Sequence, residues 1–160
     1  MYGRSRHGRR GGSPRKTTAR ITRRGEYGLT AVLYLASQPS GKLSLGDEIA
    51  GECGIPRNFL AQILARLRRK GILGSVRGKR GGYYLKAEPA RLSLADVLEA
   101  LEGPITLIRS IKEDDSKETD FLNTRVRGFF LSLQTRGYAL LKSMKISDVA
   151  AAPGRDADEY

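Results

Sequence analysis

The sequence predicts a mainly α-helical chain with one small β-hairpin and a long C-terminal helix. Three observations carry this expectation. Capped segments with apolar residues every three or four positions fill residues 22–69 and 93–101. Between them, residues 72–85 place two short apolar runs on either side of a glycine-rich tip. From residue 121 to about 144, apolar residues recur at helical spacing over a much longer stretch.

Residues 1–19 (MYGRSRHGRRGGSPRKTTA) contain almost no aliphatic side chains, so no buried face offsets their ordering entropy and a disordered basic tail is expected. A basic arm touching phosphates and a plain solvated extension both suit that composition. At residue 22 the pattern changes. Thr22 suits the N-cap of a helix over residues 23–37, whose Tyr27, Leu29, Val32, Leu33, Leu35 and Ala36 cover more than one face. Pro39 in the turn QPSG stops it. Ser44-Leu45-Gly46-Asp47 reads as a capping box opening a short helix over 45–52, and Cys53-Gly54-Ile55 turns tightly into the next.

Two short helices across a glycine-containing turn form a helix-turn-helix pattern. In the second helix Phe59, Leu60, Ile63, Leu64 and Leu67 share one face. The other face carries Asn58, Ala61, Gln62, Ala65 and Arg69, with Arg57 at the N-terminal end. Arginine matches guanine, Asn or Gln matches adenine, and Ala permits close approach to base edges. The same residues are also good helix formers, so an ordinary solvated face fits as well.

The hairpin favours the first. Residues 72–76 and 83–85 read as strands around Arg77-Gly78-Lys79-Arg80-Gly81-Gly82. From Pro56 to Arg80 there are eight basic residues (Arg57, Arg66, Arg68, Arg69, Lys70, Arg77, Lys79, Arg80) and no acidic one, which points to a polyanionic partner. The tip lacks the G-x-x-x-x-G-K-[ST] spacing of a nucleotide cradle. Ser93-Leu94-Ala95-Asp96 is a second capping box, opening a helix over 94–101 that closes at Gly103-Pro104. An acidic loop over 105–120 follows. Its carboxylates Glu113, Asp114, Asp115, Glu118 and Asp120 read as a solvated loop, with a hard cation as the alternative. In the last helix Leu122, Val126, Phe129, Leu133, Leu140 and Met144 form the apolar face, and Gly128 and Gly137 weaken it, with a break near Gly137 expected as one outcome. That face suits either packing on its own domain or a two-fold seam. A flexible end is expected over residues 147–160.

In order and spacing, the runs ITRRGEYGLTAVLYLA, SLGDEIAGECGIPRNFLAQILARLRRKGIL, SVRGKRGGYYL and LSLADVLEALEG resemble the Rrf2 family of bacterial winged helix-turn-helix transcription regulators. The resemblance covers residues 20–108 closely. It implies a winged helix-turn-helix domain over 20–104 and a dimerisation helix over 121–146. It further implies a cytoplasmic, homodimeric DNA-binding protein, a repressor on a palindromic operator, with Arg77 reaching the minor groove. Arg57, Asn58, Ala61, Gln62, Arg69, Arg77, Lys79 and Arg80 are the expected DNA contacts, and Leu122, Val126, Phe129, Leu133 and Leu140 the expected dimer interface.

Two departures from the family pattern stand out. Ala61 occupies a position commonly acidic in relatives, so their base preference does not transfer. The iron-sulfur members carry three cysteines where residues 105–121 (ITLIRSIKEDDSKETDF) have none, so no cofactor and no metal are expected. The single cysteine, Cys53, excludes an intramolecular disulfide, and with His7 the only histidine the usual zinc sites cannot be assembled. Cys53 is expected to be a small, half-buried side chain, with a thiolate favoured by nearby positive charge as the alternative.

The net charge of +12 is uneven: residues 1–20 hold seven basic residues and no acid, leaving +5 for residues 21–160. The longest apolar run, near residues 29–36, is too short to span a membrane. No nucleophile, histidine pair or carboxylate pair suggests an enzyme, so no catalytic residue is assigned. Two other functions use the same scaffold: an adaptor that binds a metabolic enzyme, and a basic winged helix that binds structured RNA. The sequence identifies neither a small-molecule nor a protein effector.

Overall fold

The computed structural model describes residues 21–105 and 121–152, and of residues 121–124 the backbone alone. The elements run α1 (Arg23–Ser37), α2 (Gly46–Cys53), α3 (Arg57–Arg69), β1 (Leu73–Val76), β2 (Gly82–Leu85), α4 (Leu94–Glu102), α5 (Phe121–Ser143) and α6 (Ile146–Ala151). The expected basic tail, the acidic loop with its carboxylates and the last eight residues lie outside the described residues.

Helix α1 is the centre of the fold, packed against α2, α3, α4, α6 and β2. Its start is fixed as the sequence predicts: Thr22 Oγ1 accepts from the Arg24 and Gly25 amides at 3.2 and 3.4 Å. The same hydroxyl donates to Glu102, tying the head of α1 to the tail of α4. Gly28 lets the two helices close up, because a Cβ there would run into the Leu101 side chain. The core gathers Val32 and Leu35 from α1, Ile49 from α2, Leu60, Ile63, Leu64 and Leu67 from α3, Leu73 from β1, and Val97 and Leu101 from α4. Each such fully buried aliphatic side chain contributes about 1.5–3 kcal/mol.

Several expectations are corrected. Phe59 is not in the core: its ring sits at the rim, edge-on to Tyr27 at 5.7 Å between centroids. Ser44 does not cap α2. The N-cap is Leu45, whose amide donates to Glu48 Oε2 at 3.2 Å, while Ser44 is fully buried and pairs with the hairpin instead. Helix α5 continues through Gly137 without a break. Where a flexible end was expected from residue 147, α6 folds back onto α1 and buries Ile146 completely. Backbone bonds hold it there, from Ile146 N to Leu92 O at 2.8 Å and from Ser147 N to Pro89 O at 3.2 Å.

The Ser93 capping box forms as expected. Asp96 Oδ2 accepts from the Ser93 amide at 2.9 Å and from its hydroxyl at 2.6 Å, and Ser93 Oγ accepts from the Asp96 amide at 3.2 Å. The other carboxylate oxygen of Asp96 accepts from Lys142 on α5, so the cap of one helix also anchors the next.

Candidate nucleic-acid interface

The turn between α2 and α3 aims the third helix. Gly54 takes the left-handed conformation (φ 63°) that reverses the chain at almost no steric cost. Ile55 then drops into the core, and its amide donates to Ala50 O at 3.0 Å. Burial of Leu60, Ile63, Leu64 and Leu67 sets the rotation of α3 about its axis. The opposite face therefore points outward, with Arg57, Asn58, Ala61, Gln62 and Arg69 all exposed and Ala65 at its margin. From Arg57 to Arg69 that face runs about 18 Å along the helix.

Not every basic residue of the stretch joins this surface. Arg66 turns inward, its Nε donating to Ala100 O on α4 at 2.9 Å, and it serves the fold. Arg68 bridges α3 to β1 through Nη1 to Ser75 Oγ at 3.2 Å. At the N-terminal end, Arg57 Nε lies 3.2 Å from Asp47 Oδ1 in the first turn of α2. The charge run in the sequence hides both the inward turn of Arg66 and the partnering of Arg57, since Asp47 lies outside that run.

The hairpin pairs Leu73 with Leu85, Gly74 with Tyr84, Ser75 with Tyr83 and Val76 with Gly82. Tyr84 lays its ring over Gly74, where a Cβ would collide with it. Arg77, Lys79 and Arg80 are exposed at the tip. Gly81 closes that tip, its amide donating to Gly78 O at 2.9 Å, and it passes so near the Val76 carbonyl that no side chain fits.

The wing does not swing freely. Ser44 and Tyr83 exchange two backbone bonds of 3.0 and 2.8 Å, and a Cβ on Gly82 would stand 2.8 Å from the Ser44 carbonyl oxygen. The loop entering α2 is thus a partial third strand that clamps the wing to the helix-turn-helix. Glu48 braces the same corner: its Oε1 accepts from the Tyr34 hydroxyl and from Lys42 Nζ, each at 2.9 Å. Hydrogen bonds from Lys42, then Tyr34, hold the Glu48 carboxyl below the usual carboxylate range. Burial, and then the same carboxylate, push the Tyr34 hydroxyl up.

Cys53 ends α2 half-buried. Burial first, and Glu52 second, push its thiol up, so the positive charge expected to favour a thiolate does not dominate there.

Helix α5 presents an apolar stripe to solvent. Of the expected interface residues, Val126, Phe129, Leu133 and Leu140 are all exposed, Phe129 by 66% and Leu140 by 60%; the Leu122 side chain lies outside the described residues. Phe130 and Met144, both exposed, fall on the same stripe at the 3.6-residue period. The sequence reading passed over Phe130, although its spacing of four from Val126 was the signal. Lys142 and the bond from Leu94 N to Met144 O at 3.0 Å fasten the far end of α5 to the body.

Among the described residues, no helix is long and apolar enough to cross a membrane, and no group of three His, Cys, Asp or Glu side chains could hold a metal ion.

Comparison with known proteins agrees with this geometry. A family model described as "Rrf2: Iron-dependent Transcriptional regulator" matches residues 21–152. A protein of Mycobacterium tuberculosis assigned to the HTH-type transcriptional regulators is 32% identical over 131 residues, which cover 82% of this chain and 81% of that one. The HTH-type transcriptional regulator CymR of Bacillus subtilis is 28% identical over 142 residues, covering 88% and 96%. Its solved structure, described as that of the global cysteine regulator, superposes with a TM-score of 0.73 at 26% identity over 84% of this chain and 98% of that one. Iron held as a cysteine-ligated cluster does not fit the residues here. Such clusters take about four cysteine ligands, and the sequence offers only the half-buried Cys53.

Proposed function

The chain belongs to the Rrf2 family of transcriptional regulators, and we propose that it works in the cytoplasm as a homodimeric repressor on a palindromic operator. It is a DNA-binding transcriptional regulator with the winged helix-turn-helix fold. The observation that supports the detailed reading is that the polar side of α3 and the basic wing tip are both exposed, with the wing clamped to the helix-turn-helix by the Ser44 and Tyr83 backbone pair.

Residues 20–104 form the DNA-reading unit. Arg57, Asn58, Ala61 and Gln62 meet base edges in the major groove; Arg69, Lys79 and Arg80 meet phosphates; Arg77 enters the minor groove. Residues 121–146 form the dimer helix. The exposed stripe of Val126, Phe129, Leu133 and Leu140 supports this, because each such side chain gains about 1.5–3 kcal/mol when fully covered. A dyad between two such helices directs two copies of α3 at half-sites about one helical turn apart.

Fluorescence anisotropy on duplexes selected by the protein, across a salt series, tests the contact roles. Gln62→Ala is expected to change which base is preferred. Lys79→Ala is expected to weaken all sequences alike and to flatten the salt dependence by about 0.9 in log–log slope. A Lys79→Ala protein with altered base preference and an unchanged salt slope would overturn the assignment.

A further inference from the structure

The contact between Asp47 and Arg57 spans the helix-turn-helix, from the first turn of α2 to the first residue of α3. Both side chains are largely in solvent, 73% exposed for Arg57 and 69% for Asp47, so packing does not fix them. An ion pair of that exposure adds little to stability. Its placement, at the end of α3 that enters the groove first, gives it another use.

We propose that Asp47 is a specificity-determining residue that braces Arg57 to read a guanine and withholds its charge from the phosphate backbone. The inference rests on the reading of α3 as the base-reading helix. The carboxylate meets Arg57 at Nε, and a guanidinium met there keeps N–H donors on both terminal amines for a second partner. Those two amines match the O6 and N7 acceptors of guanine in the major groove. The flexible arginine thereby reaches the base pre-oriented and loses less rotamer freedom on binding. A carboxylate near the duplex also repels phosphates, and the pair is neutral where a lone arginine would be a cation. Binding to arbitrary DNA, which rests on counterion release, loses one positive charge, while the guanine contact is kept.

The test uses the full chain and a randomised duplex pool, comparing base preferences of the wild type, Arg57→Ala, Asp47→Asn and Asp47→Glu. Arg57→Ala should flatten one guanine position in each half-site. Asp47→Asn should flatten that same position about five- to tenfold and leave the others unchanged. On a scrambled duplex, Asp47→Asn should bind several-fold tighter, with a salt slope steeper by about 0.9. Asp47→Glu, which keeps the carboxylate, should retain part of the guanine preference. A structural role for Asp47 would lower affinity at every position alike and would not steepen the slope, and that result overturns the proposal. If Arg57→Ala flattens a guanine position and Asp47→Asn does not, the bracing role falls while the base-reading helix stands. If Arg57→Ala flattens none, Arg57 does not read a base and the proposal falls; the base-reading helix falls with it only if Gln62→Ala also leaves base preference unchanged.

Discussion

Asp96 should make the fold acid-sensitive in a narrow window. Its side chain is 31% exposed, and burial by itself would raise its pKa. The Lys142 ammonium and the hydroxyl and amide of Ser93 outweigh that burial and pull the carboxyl from 3.8 down to about 2. At 1.36 kcal/mol per pKa unit, the shift corresponds to at most about 2.5 kcal/mol. Lys142 is 48% exposed, so solvent screening reduces the expected contribution to about 1–2 kcal/mol. Because the folded value lies below the unfolded one, this stability is complete above about pH 4 and disappears as the pH falls toward 2. Urea unfolding of the wild type and Asp96→Asn, at one fixed protein concentration because the proposed dimer would make apparent stability depend on it, would show it. The variant should be weaker by about 1–2 kcal/mol at neutral pH, and the difference should close as the pH approaches 2. A difference that does not change with pH, or none at neutral pH, would refute the role given to this carboxylate.

Two further substitutions probe the wing and α5. Gly81→Ala should displace the wing tip, since the added methyl meets the Val76 carbonyl. DNA affinity should fall about tenfold, and urea stability should fall as well, because Gly81 is buried and the atoms it would meet are backbone; unaltered affinity would remove the wing from the interface. Phe129→Glu places a charge on the exposed stripe of α5. Sedimentation velocity should report monomers, with operator affinity lost at least about 100-fold as two-site avidity goes, whereas a persistent dimer would place the seam elsewhere.

What the sequence showed and what it concealed separate by range. Thr22 and Ser93 were legible because a cap is made by residues two or three positions away. The burial of Leu60, Ile63, Leu64 and Leu67 was legible because period alone sets the face. Ser44 misled because its backbone partner is Tyr83, far along the chain, and the helix starts one residue later, with Leu45 at the N-cap. Arg66 looked like part of a charged surface, yet an acceptor on α4 turns it inward. Helix α6 was hidden because its six residues bury only Ile146, and its support is the backbone of residues 89–94. Gly137 lowers helix propensity by about 1 kcal/mol, yet α5 runs through it. For the site, residue types and their facing were readable from spacing, but the clamp between Ser44 and Tyr83 and the pairing of Arg57 with Asp47 required three dimensions.

Hydroxyl-radical footprinting of the full chain on a duplex it selects from a random pool is the most direct test of symmetric DNA reading. Two protected patches related by a dyad, about one helical turn apart, over an inverted-repeat sequence are the expected result. Protection that spreads evenly along any duplex, with no recurring sequence recovered from the pool, would contradict it.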